Sequence, residues 1–309
     1  MSTLAPLLTR FRQTLPSREP SGVARTGVPG VTFFWIDEDT PRSPLLYDTG
    51  VVIVGQGHKV GYLGGHEFRY DADSCLILGV PVPFECASFG SPQEPLLGVR
   101  VDVDLGTLHG LVARFSGKLG AASTPRPQNL HRGVAPLHMD GPLLAAVARL
   151  VESLTDPMDR EVVGPAAVEE IVYRILRSER GQVLYALTQH QTPYANVAQA
   201  LELIHSDYAN GLAVEDLARE AAMSASSFHR AFKSVTGETP LQYIKKVRLL
   251  KAKNLLVLEG KRVEETAYIV GYASPSQFSR DFKRYFTVPP SAAKTLPYSD
   301  GLQPNLEMV

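Results

Sequence analysis

The stretch Ser-Ala-Ser-Ser-Phe-His-Arg-Ala-Phe-Lys, from Ser224 to Lys233, returns as Ser-Pro-Ser-Gln-Phe-Ser-Arg-Asp-Phe-Lys, from Ser274 to Lys283. The copies lie 50 residues apart and share Ser, Ser, Phe, Arg, Phe and Lys at the same offsets. Repetition at that distance marks a duplicated supersecondary unit, and two copies do not make a solenoid. Phe228 with Phe232, and Phe278 with Phe282, are four apart, so each pair lies on one helical face and points to a core. The opposite face carries His229, Arg230 and Lys233 in the first copy and Ser279, Arg280, Lys283 and Arg284 in the second. Ser224 and Ser274 read as helix caps, with Pro275 at the first helical position and Gln277 three after the cap. Gly237 is placed to end the first helix, and Val288, Pro289 and Pro290 to stop the second.

A short helical pattern precedes each copy: Val214, Leu217, Ala218, Ala221 and Ala222 before the first, Val263, Ala267, Val270, Gly271 and Tyr272 before the second. Ala218 and Ala222, like Ala267 and Gly271, are four apart. Small residues there let the next helix cross close behind a tight turn, as in a helix-turn-helix. From Ser224 to Phe286 twelve Lys and Arg stand against five Asp and Glu, on a chain whose net charge is -1. A single basic helix would read as a solvated face. Two matched basic helices behind small-residue turns read as an electrostatic footprint for phosphate.

With these residues the stretch resembles the DNA-binding domain of AraC-type (AraC/XylS family) bacterial transcription regulators, in which a long central helix joins two helix-turn-helix units. That helix would run from Pro240 to Leu258, opened by Thr239, Pro240 and Gln242 as cap, first and third positions. Tyr243, Arg248, Ala252 and Leu256 stand where the family has recurring residues, and its signature runs through Gly271, Tyr272, Ser274, Phe278, Arg280, Phe282, Lys283, Phe286 and Pro290. Two departures stand out: Ala222 and Met223 occupy a turn where Gly is common, and Ser-Ala-Ala-Lys follows Pro290 without the frequent Tyr-Arg. Arg230 and Arg280 are the candidates for base reading, since a guanidinium pairs bidentately with guanine. Ser226, His229, Ser276 and Ser279 project from the same faces, while Lys233, Lys283 and Arg284 are candidates for phosphate.

Residues 309 in number suffice for two domains, and two cysteines make no disulfide framework. Arg10 and Arg12 interrupt any signal-peptide core, and no apolar run approaches a membrane span, so the expected location is the cytoplasm. Leu4, Leu7, Leu8, Phe11 and Leu15 suggest an amphipathic N-terminal arm over 1–22. From Val31 to Val103 short strands with Gly and Pro turns suggest a small barrel or sandwich. Gly27-Val28-Pro29-Gly30, Gln56-Gly57-His58-Lys59, Tyr70-Asp71 and the Leu-Gly-Val-Pro-Val-Pro run ending at Pro83 resemble the N-terminal effector domain of one AraC subgroup, whose members are cupin-like barrels. The expected fold class is α+β and multidomain: a cupin-like β-barrel over 23–135, a helical dimerisation and interdomain segment over 136–190, an all-α double helix-turn-helix domain over 193–298, and a tail over 299–309.

Metal-dependent cupins need closely spaced imidazoles and a carboxylate. His58 and His66 are eight apart, and Glu67 follows His66 directly, so strand alternation sends those two side chains to opposite faces. No catalytic residue, metal ligand or cofactor motif is assigned. Trp35, Tyr62, Cys75 and Cys86 are candidate lining groups of a ligand barrel, each also readable as plain core. Cys75 and Cys86 lie on consecutive expected strands that turn around Val80 to Val82, and a hairpin there would bring the two thiols together, in reach of an electrophile or oxidant. Leu143, Val147, Leu150, Val151 and Leu154, then Val168, Ile171, Val172, Ile175 and Leu176, form two helical stripes buried on the barrel or on a partner.

The expected function is sequence-specific DNA binding that regulates transcription under a small-molecule effector. The resemblance implies an activator, RNA polymerase as a partner beside operator DNA, and a homodimer; the lack of a long apolar run leads to the expectation of no membrane partner. The rival readings are a cupin-type enzyme fused to a DNA-binding module and an architectural DNA binder without an effector.

Overall fold

The computed structural model describes residues 3–115, 133–189 and 191–296. The expected tail, 299–309, lies outside the described residues. A β-sheet unit comes first in the chain and a helical unit second.

Two sheets face one another in the first unit. One has six strands in the order β1 (Ser21–Arg25), β2 (Val31–Ile36), β9 (Leu96–Asp102), β4 (Gly50–Gln56), β7 (Ser74–Leu78) and β10 (Val134–His138). The other has four, in the order β3 (Thr40–Tyr47), β8 (Val82–Phe89), β5 (His58–Leu63) and β6 (His66–Asp71). The sheet unit thus starts at Ser21 and runs on to His138, past both edges of the expected 23–135.

The six-stranded sheet is covered on both faces, which is why Val51-Val52-Ile53-Val54 is apolar without alternation. Phe34, Val52, Val54, Leu76 and Leu78 face the other sheet, where they meet Leu45, Tyr47, Tyr70, Phe84 and Cys86. Phe33, Trp35, Val51, Ile53, Cys75 and Ile77 point the opposite way, into helices. Those helices are α1 (Leu4–Thr14), α3 (Gly141–Ser153) and α4 (Pro157–Leu176); α2 (Leu105–Phe115) and the short α5 (Gln182–Tyr185) complete the layer. Asp140 and Asp156 cap α3 and α4 through their carboxylates. The arm α1 lies so close that a Cβ on Gly55 would sit 2.2 Å from Cδ1 of Leu8. Both expected helical stripes are spent on the chain's own sheet.

Two expectations fail here. β7 and β8 are consecutive in sequence but belong to different sheets, so they form no hairpin. Cys75 faces the helices and Cys86 faces the space between the sheets. Trp35 also lines no interior: it stacks on Phe33 at 5.9 Å under the Arg12 guanidinium, on the helical side.

The second unit holds α6 (Pro193–Asp207), α7 (Val214–Glu220), α8 (Ala225–Thr236), the central α9 (Pro240–Val257), α10 (Val263–Ile269) and α11 (Pro275–Phe286). Thr239 opens α9 as read, its N–H and hydroxyl both donating to Gln242 Oε1, at 3.4 and 3.0 Å. Phe228, Phe232 and Tyr243 form the first core, and Phe278, Phe282 and Phe286 the second. Among the described residues no helix is long and apolar enough to cross a membrane.

Candidate nucleic-acid interface

Each recognition helix is held by its apolar face and offers its polar one. Ser224 Oγ accepts from the Ser227 N–H and Ser274 Oγ from the Gln277 N–H, both at 3.4 Å, which fixes where α8 and α11 begin. Gly237 ends α8 in the left-handed region, with φ 80°, and Thr287 ends α11 with φ 67°. Between α7 and α8 the turn passes through Ala222 at φ 48°, and between α10 and α11 through Gly271 at φ 84°. The second small residue of each four-apart pair is therefore the turn residue itself. The first turn is one residue shorter, which is why the repeat offset changes from 49 at Ala222 and Gly271 to 50 at Ser224 and Ser274.

Ser226, His229, Arg230 and Lys233 on α8, and Ser276, Arg280, Lys283 and Arg284 on α11, are exposed; Ser279 is half-buried beside them. The sheet unit leaves both faces open. Arg284 is committed in part, since it donates to Asp281 Oδ1 at 2.7 Å. Asp281 is buried and also holds Lys245 at 2.6 Å, and it is this second pair that ties α11 to the central helix. Of the candidate phosphate contacts, Lys233 and Lys283 are the freer pair.

The sheet unit grips the helical unit behind this surface. The Tyr243 hydroxyl donates to the Pro81 carbonyl at 2.6 Å, and His205 Nε2 lies 2.7 Å from the same hydroxyl. A carbonyl only accepts, so Tyr243 spends its one proton on Pro81 and His205 must be the donor through Nε2–H. Burial, foremost, pushes the His205 pKa down to about 4, so the ring is neutral near pH 7. Val235 of α8 accepts from the Gly133 N–H at 3.2 Å. Leu46 of β3 packs against the cores of both helix-turn-helix units. Nothing in the sequence pattern pointed to Pro81, His205 or Leu46 as a seam, because contact between units leaves no local periodicity.

The candidate effector groups fare unevenly. Only Cys86 faces between the sheets, with its Sγ 3.5 Å from the Tyr70 hydroxyl. Tyr62 lies on the outer face of the four-stranded sheet under the Arg42 guanidinium, 4.1 Å from the ring centroid. Burial raises the Cys75 thiol pKa to about 12, which keeps it protonated. The interior also holds Lys59, wholly buried, donating to the Tyr47 hydroxyl at 3.0 Å. It was legible in principle, since Lys59, Gly61 and Leu63 share one face of β5.

Residues 27–183 match the AraC-type transcriptional regulator N-terminus, and residues 217–295 match a helix-turn-helix domain. The transcriptional activator RhaS of Yersinia pestis (strain Pestoides F) is 28% identical over 166 residues, 51% of this chain and 58% of that protein. The transcriptional regulator AlkR of Acinetobacter baylyi is 37% identical over 97 residues, 31% of this chain and 32% of AlkR. The chain thus spans 58% of the length of the RhaS relatives it matches. Among solved structures, apo ToxT K231A from Vibrio cholerae strain SCE256 shares the fold, with a TM-score of 0.58 at 14% identity, over 85% of this chain and 97% of that one. ToxT with an unsaturated fatty acid bound gives 0.57 at 13% identity, over 91% and 98%. The N-terminal match alone covers more than half of the 309 residues, and the chain belongs to the AraC-type transcriptional regulators.

Proposed function

We propose that the protein is a sequence-specific DNA-binding activator whose sheet unit, a cupin-like barrel in its family reading, answers to a small-molecule effector. The observation that carries this is the pair of capped helices α8 and α11, each offering an exposed arginine, Arg230 and Arg280, beside exposed serines and lysines. Arg230 and Arg280 read base edges, with Ser226, His229, Ser276 and Ser279 around them, and Lys233, Lys283 and the outer side of Arg284 take phosphates. Two such helices on one chain enter successive major grooves about one helical turn apart.

The activator role draws on the activator among its relatives, and RNA polymerase then follows as a partner. ToxT with a bound fatty acid supports an effector for the sheet unit. Cys86, Tyr70, Tyr47 and Lys59 are the interior groups such a ligand would meet. The protein works as a homodimer through its helical layer, where Met158 and Val162 of α4 stand exposed. As for the rival metal-dependent cupin, among the described residues no group of three or more His, Cys, Asp and Glu is placed to hold a metal. Genome-wide mapping of bound DNA, joined to a reporter driven by the recovered sites, tests the reading. A shared two-part motif and reporter activation are expected. Binding without a motif would return the protein to the architectural class.

A further inference from the structure

A cleft of about 430 Å³ opens where the outer face of the four-stranded sheet meets the start of α9 and the end of α11. Its volume falls within the range of small-molecule sites. From the sheet unit it takes Arg42, Tyr62 and Glu85, and from the helical unit Glu238, Lys246 and Tyr285.

The charges in this cleft are unevenly spent. Arg42 lies over the Tyr62 ring and donates through Nε to Glu85 Oε2 at 2.7 Å. Lys246 pairs with Glu238 Oε1 and lies 5.8 Å from the Tyr285 ring centroid. Both cations thus already hold a carboxylate. Glu238 Oε2, in contrast, is buried with no hydrogen-bond partner. A buried, unsatisfied carboxylate oxygen costs free energy that a donor would recover. Glu67 and His66 also line the cleft, so three carboxylates stand against Arg42, Lys246 and one imidazole. After burial, Glu238 and Glu85 are the groups that push the Tyr285 phenol pKa up, so the fields of both carboxylates reach one point from opposite sides of the seam.

We propose that this cleft binds a small organic cation, an aliphatic amine or guanidine, whose N–H groups bridge Glu238 of the helical unit and Glu85 of the sheet unit. Charge selects the class: three carboxylates against two basic side chains leave the cleft with an excess of negative charge, which a carboxylate ligand would add to and a neutral polyol would leave in place. A bridging cation also holds the two units together at the seam without touching the DNA-facing side of α8 or α11. This site lies outside the space between the sheets and stands independently of any effector bound there.

The test is calorimetric titration of the full chain with putrescine and with agmatine, beside glucose and oleate. Saturable binding of one amine per chain is expected, weakened at least tenfold by Glu238→Gln and by Glu85→Gln, and unaffected by glucose or oleate. Glu85 is half-exposed, with 41% of its side chain open, so Glu85→Gln decides the matter where Glu238→Gln fails to fold. Absence of saturable amine binding would overturn the proposal. Equal affinity in the glutamine variants, the mark of diffuse counterion attraction, would overturn it as well, and so would displacement of the amine by oleate or glucose.

Discussion

Arg248 of the central helix donates to the carbonyl of Gly271, the turn residue of the second helix-turn-helix, at 3.0 Å. The same guanidinium donates to the carbonyls of Tyr208 at 2.7 Å and Asn210 at 2.8 Å, where α6 ends. One side chain therefore ties the central helix to the end of α6 and to the second turn. Three divergent donors in a plane are what arginine has and lysine lacks. Arg248→Lys should cost about 2 kcal/mol, since at least one charge-assisted hydrogen bond is lost. Urea unfolding followed by circular dichroism measures it, and a cost under a few tenths would deny the role.

The two turns should respond oppositely to exchange of alanine and glycine. At Gly271 an added Cβ would lie 2.1 Å from the Ala209 carbonyl oxygen, at φ +84°. Gly271→Ala should cost roughly 2–5 kcal/mol through strain and overpacking together. Ala222 already carries a Cβ at φ 48°, a conformation that alanine pays for and glycine does not. Ala222→Gly should stabilise by roughly 0.5–1 kcal/mol, the relief of left-handed strain less the extra chain entropy of glycine. Thermal melts of both variants decide it.

Binding to DNA separates the basic residues by role. Arg230→Ala and Arg280→Ala should each lose roughly 1–3 kcal/mol on the specific site and relax preference at different base pairs. Lys283→Ala should weaken all sequences alike and lower the salt slope by about 1. Fluorescence anisotropy on specific and random duplexes at several salt concentrations reads both. Arginine variants that lost affinity equally on both duplexes would reverse the assignment.

The thiols should be silent. Cys75 and Cys86 form no disulfide and both are buried, Cys75 on the helix-covered face of the six-stranded sheet and Cys86 on the inner face of the four-stranded one. Native protein treated with a thiol reagent should remain unlabelled at both, and both should label in denaturant. No disulfide should join them under oxidant, because no thiolate is exposed to start the exchange. Native labelling at Cys86 would revive a sensing role for that residue alone.

The helical unit was readable because its information is local. Caps, i, i+4 phenylalanines and the small turn residues lie within a few positions of what they determine. The capping box at Thr239 and Gln242 shows this, as does the exposure of Arg230 and Arg280. The sheet unit was readable only to the level of strands. Alternation assigns Cys75 and Cys86 to faces, but which sheet each strand joins is set by partners far off in sequence: β7 pairs with β4 and β10, and β8 with β3 and β5. Trp35 misled for a related reason. In a sheet covered on both faces, apolar character does not tell the side turned to helices from the side turned to the second sheet.

The bond from His205 to Tyr243 makes the seam sensitive to acid. An unfolded histidine titrates near 6.5, and burial lowers the folded value to about 4, with Asp48 opposing and Lys251 adding to that shift. Between those values the unfolded chain binds a proton that the folded chain refuses. Stability therefore rises with pH across this window and is lost as pH falls through it, by an amount on the order of 3 kcal/mol if the full shift is expressed. Protonation would also place a charge on a ring that burial keeps neutral. His205→Gln keeps a donor for Tyr243 and removes the titration. Melting temperatures of the two proteins should therefore converge as pH falls from 7 toward 4.5, although carboxylates destabilise both together at the acid end. Tyr243→Phe should break the link to Pro81 at every pH, with a cost of about 1 kcal/mol. Parallel melting curves for wild type and His205→Gln across the window would show that this imidazole does not control the seam.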